Sequence, residues 1–435
     1  MAEYKRKKVK KVKLGKTPNT KKNVQKMPKE KSTEIKMQKN KRDVSVSNYN
    51  REAKREKANN FKVIKGNKTR NKQRKMSIIA LVVAVIVLCV FVNSLTPVGI
   101  IEEIHNNVAK IGAGELPATL ESSDIKNISG NNSIVYVLSD TNLELYNQGG
   151  KRTLNVQHGY LRPGISISQS RGLIYDRGGK NYRTFNNSEI LYEAKLENAI
   201  YSADISRCGK YVFSSETSGY TSKVSVFSKN NKSIFSLLVA DNIVADVLLN
   251  NSGNRLATSE IYTKGGQFVS KISVYTLDSS TPKFSFEIEG AAVASLVNLK
   301  NSFAAVSEDK IIIFKWSNGD KTECETNGDI LNYCSDLNGN FVYVTGRDND
   351  YSTAKVIVYR DSKRINEFLL KFSATDISVY KNRVFILNSQ NIYVYESKNG
   401  KLVNSLTTDF TSSDICALSK KSAVAVSQSK MSVLK

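Results

Sequence analysis

One strand type returns along this chain at a near-constant interval, and that return limits the fold more than any other feature. It reads LELY ending at Tyr146, YRTF at Phe185, VSVF at Phe227, ISVY at Tyr275, IIIF at Phe314, VIVY at Tyr359, IYVY at Tyr395 and MSVL at Leu434. The steps are 39, 42, 48, 39, 45, 36 and 39 residues. Between the copies, short alternating segments are separated by Gly, Asn, Asp and Ser turns, as in strands joined by hairpins. A unit of about 40 residues with four short strands is the mark of a β-propeller. Each small sheet has two apolar faces and cannot bury both alone. Stacking the sheets radially buries them, and closing the circle removes the exposed ends.

The expected fold is therefore an all-β propeller over residues 115–435, with eight blades, or seven if the weak YRTF copy is a loop. The sequence stops at Lys435, directly after the eighth aromatic-type strand, so the last blade lacks its outer strand. The segment ELPATL at 115–120 stands just before the first inner strand and is placed to supply it. Removing 430–435 is then expected to unfold the domain.

The N-terminal quarter is different. Residues 1–75 hold 28 Lys and Arg against 6 Asp and Glu, while the remainder holds 37 against 34. The formal charge of +25 thus belongs to the tail, and the rest is almost neutral. The tail has too little apolar surface to offset the entropy of ordering, so disorder is expected, with a transient helix over 47–60. Such a tail can bind anionic lipid, can bind RNA or DNA, or can serve only to set topology. The lack of interleaved aromatics for base stacking argues against nucleic acid.

From Ile78 to Val92 fifteen residues carry no charge, and 76–95 reaches the length an α-helix needs to cross ~30 Å of hydrocarbon. Six Lys and Arg stand between 65 and 75, whereas Glu102 and Glu103 follow. The positive-inside rule places the N-terminus in the cytoplasm and the C-terminal domain outside, an uncleaved signal-anchor in the cell membrane. Residues 96–114 read as a helical stem: Pro97 starts it, Ile100, Ile101, Ile104, Val108 and Ile111 recur at helical spacing, and Gly112 and Gly114 end it. This stem could lie on the membrane or pack on the domain.

Little catalytic chemistry is visible. There are two histidines, His105 and His158, and no G-x-S-x-G, HExxH or Walker loop. The single Trp316 is unlike the repeated tryptophans of eight-bladed quinone-dependent dehydrogenases. Of the five cysteines, Cys89 lies in the apolar run, and the others lack zinc-ligand spacing. Cys324 and Cys334 are the nearest pair, either bridged or free. No cofactor and no metal are expected.

Two groups of residues are candidate binding sites. An Asp followed by an apolar residue opens inner strands at Asp124, Asp246, Asp376 and Asp414, with Asp204 and Asp329 near the same place but out of register. They form either an acidic collar at one channel mouth, for a cation or basic partner, or ties in which each carboxylate accepts backbone N–H groups between blades. The second reading is preferred. The other group is in blade 2, where Gln157-His158-Gly159-Tyr160 and Pro163 precede Tyr175 to Tyr182. Hairpin chemistry accounts for Asp176 to Gly179. A patch built from His158, Tyr160, Asp176 and Arg177 on loops is the binding alternative.

At these residues a resemblance enters. QHGY with the following Pro163 and GLIYDRGGKNY, then TSGYTSKVSVF (217–227) and VADVLLNNSGNRLATS (244–259), resemble an uncharacterised family of Gram-positive, clostridial-type single-pass membrane proteins, known only as a domain of unknown function. The resemblance implies a basic tail, one membrane helix and a propeller-like outer domain, and it implies no activity.

The expectation is a non-catalytic, membrane-anchored binding or scaffolding propeller of the bacterial envelope, with a protein or cell-wall polymer as partner. A single-pass sensor and a cell-wall hydrolase are the alternatives. The oligomeric state is left open.

Overall fold

The computed structural model describes residues 68–95 and 98–435, apart from 123, 132, 327, 337, 348 and 349. The basic tail before residue 68, including its expected disorder and the helix over 47–60, lies outside the described residues, as does Pro97.

A helix, α1, runs over Lys68–Leu95. Its side chains from Met76 to Leu88 are exposed all round, Ile78, Leu81 and Val87 by 60 % or more. Among the described residues no helix is long and apolar enough to cross a membrane. A second helix, α2, covers Ile100–Ala109 and ends before Gly112, whose φ of 112° suits glycine.

Among the described residues everything after α2 is strand, turn or loop. Eight four-stranded antiparallel sheets follow one another. Blades 1 to 7 span 125–157, 163–195, 200–239, 243–289, 295–324, 329–369 and 376–407. Blade 8 takes three strands from Asp414–Ala417, Ala423–Val426 and Lys430–Leu434 and its fourth from Ala118–Thr119. The eighth blade is therefore closed by the N-terminal strand, with Ala118 opposite Met431, Thr119 opposite Lys430, and Leu120 N donating to Ser429 O at 3.0 Å. The weak YRTF copy is a full third strand, Asn181–Phe185.

The recurring aromatic has a structural cause. In blades 1, 2, 3, 6 and 7 the outer strand bulges against the third strand where it reaches Tyr146, Phe185, Phe227, Tyr359 and Tyr395. The bulge adds local twist, and the ring of each of these residues packs in the cluster shared with the preceding blade. Across one such boundary Phe286 of blade 4 and Phe314 of blade 5 stack at 5.2 Å within a cluster shared by the two blades.

The core has the same circular form. Eight separate apolar clusters lie one at each boundary between neighbouring blades. The boundary between blades 8 and 1 combines Leu418, Val424, Val426 and Met431 with Val135, Val137 and Tyr146, and Ala118 and Leu120 fill its edge. Full burial of one such side chain contributes ~2 kcal/mol, so removing any boundary exposes two neighbours at once.

In every blade the first-to-second and third-to-fourth turns lie on one face of the disc, because all strands are antiparallel to their neighbours. α2 packs on that face, here called the stem face. Asn106, 2 % exposed, donates to Ser170 O at 3.1 Å and accepts from Asn187 N at 3.0 Å. Arg171 Nε and Nη2 grip the Glu102 carboxylate at 2.6 Å each. The stem thus packs on the domain that follows it.

Candidate functional site

The inner strands of the blades line a central cavity of about 450 Å3. Its charged lining is Lys126, Asp204, Arg207, Asp336, Asp376 and Asp414. Three of the inner-strand carboxylates share a distinctive geometry.

Asp204, in blade 3, accepts from Ser166 Oγ of blade 2 at 2.7 Å and from Leu249 N of blade 4 at 2.8 Å. Asp246, in blade 4, accepts from Ser202 Oγ of blade 3 and from Leu296 N of blade 5 at 2.7 Å. Asp376, in blade 7, accepts from Asn332 Nδ2 of blade 6 at 3.0 Å, from its neighbour Ile377 N at 2.8 Å and from Ile415 N of blade 8 at 2.8 Å. Each carboxylate therefore joins three consecutive blades. No cation pairs with any of the three among the described ion pairs, and crowding by neighbouring strands pushes Asp246 and Asp376 up to about 6 through desolvation. Asp204 is raised for the same reason.

The strand bulges explain which residues were recognisable. The inner strand steps out of register just before Ser202, Asp246 and Asn332. One inserted residue turns the next side chain toward the neighbouring blade. Asp204, out of register in the sequence, sits two residues beyond Ser202 and performs the same task as Asp246. The side-chain donors to the three carboxylates, Ser166 to Asp204, Ser202 to Asp246 and Asn332 to Asp376, carry no sequence signal beyond being small polar residues in apolar strands.

The other predicted positions differ. Asp124 is exposed and holds Lys126 Nζ at 2.6 Å. Asp414 is half-buried on the cavity wall. Asp329 is exposed at the start of its strand. The acids therefore do not share one ring. Asp204, Asp246 and Asp376 are engaged between blades, while Asp204, Asp376 and Asp414 line the cavity with Asp336.

In blade 2 the predicted patch is mostly inside. His158 is 7 % exposed and Tyr160 6 %. Tyr160 N donates to His158 Nδ1 at 3.0 Å, so the ring proton sits on Nε2 and points at Ser139 O, 3.2 Å away. Burial holds the imidazole below its usual value, which keeps it neutral. Asp176 Oδ1 accepts from Leu161 N at 3.1 Å and Arg162 N at 3.2 Å and so shapes the loop between blades 1 and 2. Arg177 is exposed, with Nη2 3.4 Å from Tyr175 OH. What these residues present outward is Leu161, 92 % exposed at the loop tip.

Cys208, Cys324, Cys334 and Cys416 are free thiols. Cys324 is buried on an outer strand of blade 5, and Cys334 lies on the inner strand of blade 6, so the two are not bridged. Burial pushes Cys416 up to about 12, which leaves it unreactive. Among the described residues no group of three His, Cys, Asp or Glu side chains converges as a metal site.

The two faces of the disc differ in charge. Among the described residues between strands, the stem-face turns carry thirteen Lys and Arg against five Asp and Glu. The opposite face carries five against ten, and three of those five cations, Arg162, Arg177 and Lys180, lie around the exposed Leu161 loop.

A family model described as a family of unknown function (DUF5711) matches residues 117–435. Comparison with curated protein sequences gives no match. Among solved structures, the computationally designed Ika8 protein is similar at 14% identity and a TM-score of 0.54, over 74% of this chain and 99% of its own. The C-terminal WD40 domain of Sif2 is similar at 12% identity and a TM-score of 0.52, over 74% and 99%. Saccharomyces cerevisiae Sqt1 is similar at 11% identity and a TM-score of 0.50, over 73% and 99%. At these identities the likeness is one of fold alone.

Proposed function

The chain belongs to the family of unknown function DUF5711, and from that premise we propose that it is a membrane-anchored, non-catalytic binding propeller of the cell envelope. In this reading the segment 76–95 as a whole, which extends beyond the part of α1 whose side chains are described, crosses the membrane with the basic tail inside, and the disc stands outside. The observation that carries this reading is the occupation of one face. α2 packs on the stem face through Asn106 and the Glu102–Arg171 pair, which leaves the opposite face, with its loops, for a protein or cell-wall polymer. Support for the span comes from the continuous apolar run 78–92 and from the exposure of the side chains from Met76 to Leu88. Support for a non-catalytic role comes from His158, whose ring nitrogens are both engaged, and from carboxylates committed to holding blades together.

The test is site-specific photo-crosslinking in the full chain in membranes, with the probe at Leu161 on the free face or at Lys300 on the stem face. A discrete adduct from position 161, abolished in a second chain by Arg162→Glu with Arg177→Glu, is the expected result. Adducts only from position 300, or hydrolysis of wall polymer by the purified chain, would overturn the reading.

A further inference from the structure

α2 is docked the wrong way round for an ordinary amphipathic helix. Its polar residues Glu102 and Asn106 face the propeller, and Asn106 is 2 % exposed. Its apolar residues face away: Ile101, Ile104 and Val108 are 73 %, 54 % and 61 % exposed, and Ile111 just beyond is 69 % exposed. These four positions form one stripe, because residues three, four and seven apart share a helix face. A ten-residue helix is marginal in water by itself. Its orientation is therefore set by the buried Asn106 and the Glu102–Arg171 grip, and that orientation presents the stripe outward.

Two further observations say what covers the stripe. The first is distance along the chain. α1 ends at Leu95 and α2 starts at Ile100, and five residues reach at most ~17 Å. A helix that ends in hydrocarbon leaves the stripe within the headgroup layer. The second is charge. The turns around α2 belong to the basic face, thirteen cations against five acids among the described residues between strands, and the opposite face has the reverse bias. Arg207, Lys300, Lys381, Lys398 and Lys421 are spread around that face on four different blades.

We propose that the stem face lies flat on the bilayer that α1 crosses, with Ile101, Ile104, Val108 and Ile111 inserted among the acyl chains and the surrounding lysines on anionic phospholipid headgroups. The proposal rests on the spanning reading of α1. An amphipathic helix in the interface plane gains from apolar insertion and from the negative surface together. The propeller is then fixed in height and tilt, and its acidic face points away from the membrane.

The full chain is reconstituted in phosphatidylcholine vesicles with or without phosphatidylglycerol. The chain has one tryptophan, Trp316, and Trp316→Phe gives a silent background for Ile104→Trp on the stripe or Phe268→Trp on the far face. With phosphatidylglycerol present, brominated lipid is expected to quench the Ile104→Trp indole by about twofold or more and to leave the Phe268→Trp indole unchanged. Adding Lys300→Glu, Lys381→Glu and Lys398→Glu is expected to lower that quenching. Equal quenching at both positions, or none at Ile104→Trp in a chain that resists alkaline extraction, overturns the proposal and leaves the span standing. Alkaline extraction of the chain itself overturns both. Disulfide crosslinking between Ile104→Cys copies, in place of quenching, overturns it in favour of a second copy on the stripe.

Discussion

Blades 7 and 8 have the same four strand positions and are cut differently. In blade 7 all four strands are consecutive, and the outer strand pairs with the third from Asn391↔Thr407 to Tyr395↔Leu402. In blade 8 the third and fourth strands come from opposite ends of the propeller and meet over two register pairs. Every boundary between blades, that between 8 and 1 included, is crossed by the chain. The single non-covalent joint of the ring therefore lies inside a sheet, where hydrogen bonds and the cluster around Met431 hold it. The means of joining also differ. Blade 7 reaches blade 8 by directional polar contacts, Asp376 to Ile415 N and Ser378 Oγ from Ala417 N at 3.0 Å. Blade 8 reaches blade 1 by shape: a Cβ on Gly130 would lie 2.3 Å from Cys416 Sγ.

If the joint inside blade 8 is what closes the ring, deleting 430–435 removes the third strand and the partner of Ala118–Thr119 together. Loss of the cooperative thermal transition by circular dichroism is the expected outcome, and an unchanged melting temperature would break the comparison. The next largest effect falls on Asp376→Asn. Both oxygens of Asp376 accept N–H groups, so an amide must set one donor against another, at a cost of ~3 kcal/mol in denaturant unfolding. Gly130→Ala tests the shape joint. Overpacking there costs ~2 kcal/mol, and Cys416→Ala in the same chain recovers most of it, a coupling that a double-mutant cycle measures.

The smallest effect is expected at Asp246→Asn. Ser202 can accept as well as donate, so the amide can serve both partners, and the change in stability at pH 7 is under ~1 kcal/mol. Its signature is in pH dependence. Asp246 is raised from 3.8 to about 6 in the folded chain. The folded state thus keeps a proton that the unfolded state has released, and stability falls as pH rises from near 4 to near 6. Asp246→Asn should flatten that fall, and an unaltered profile would show that the carboxyl is not strained by desolvation.

The sequence made the ring legible because the third strand of each blade ends on a large side chain at one place, and the spacing of those ends is the spacing of the blades. It also showed the closing strand, since the last unit was one strand short and 115–120 was unassigned. The carboxylates were only half legible. Asp246 and Asp376 stood out by pattern, whereas Asp204 was shifted by a one-residue bulge that no local residue announces. In blade 2 the clustering of His158, Tyr160 and Asp176 was real, but burial turned it into support for the loop that carries Leu161. α2 was visible as a helix with an apolar stripe. Which side packs on the disc was decided by Asn187 and Arg171, 81 and 69 residues from their partners Asn106 and Glu102, and no periodicity reports such distant contacts.

The pairing of Thr119 with Lys430 has a consequence for how the molecule comes into being. The two are about 310 residues apart in sequence, and bringing the ends of so long a segment together costs ~5 kcal/mol of chain entropy. Seven blades can form in order as the chain is made, each on its predecessor. The closing strand has to wait, its edge unpaired, until the last residues arrive. During that interval the nascent protein is an open arc with two sticky ends, and a neighbouring arc at high local concentration could pair with either.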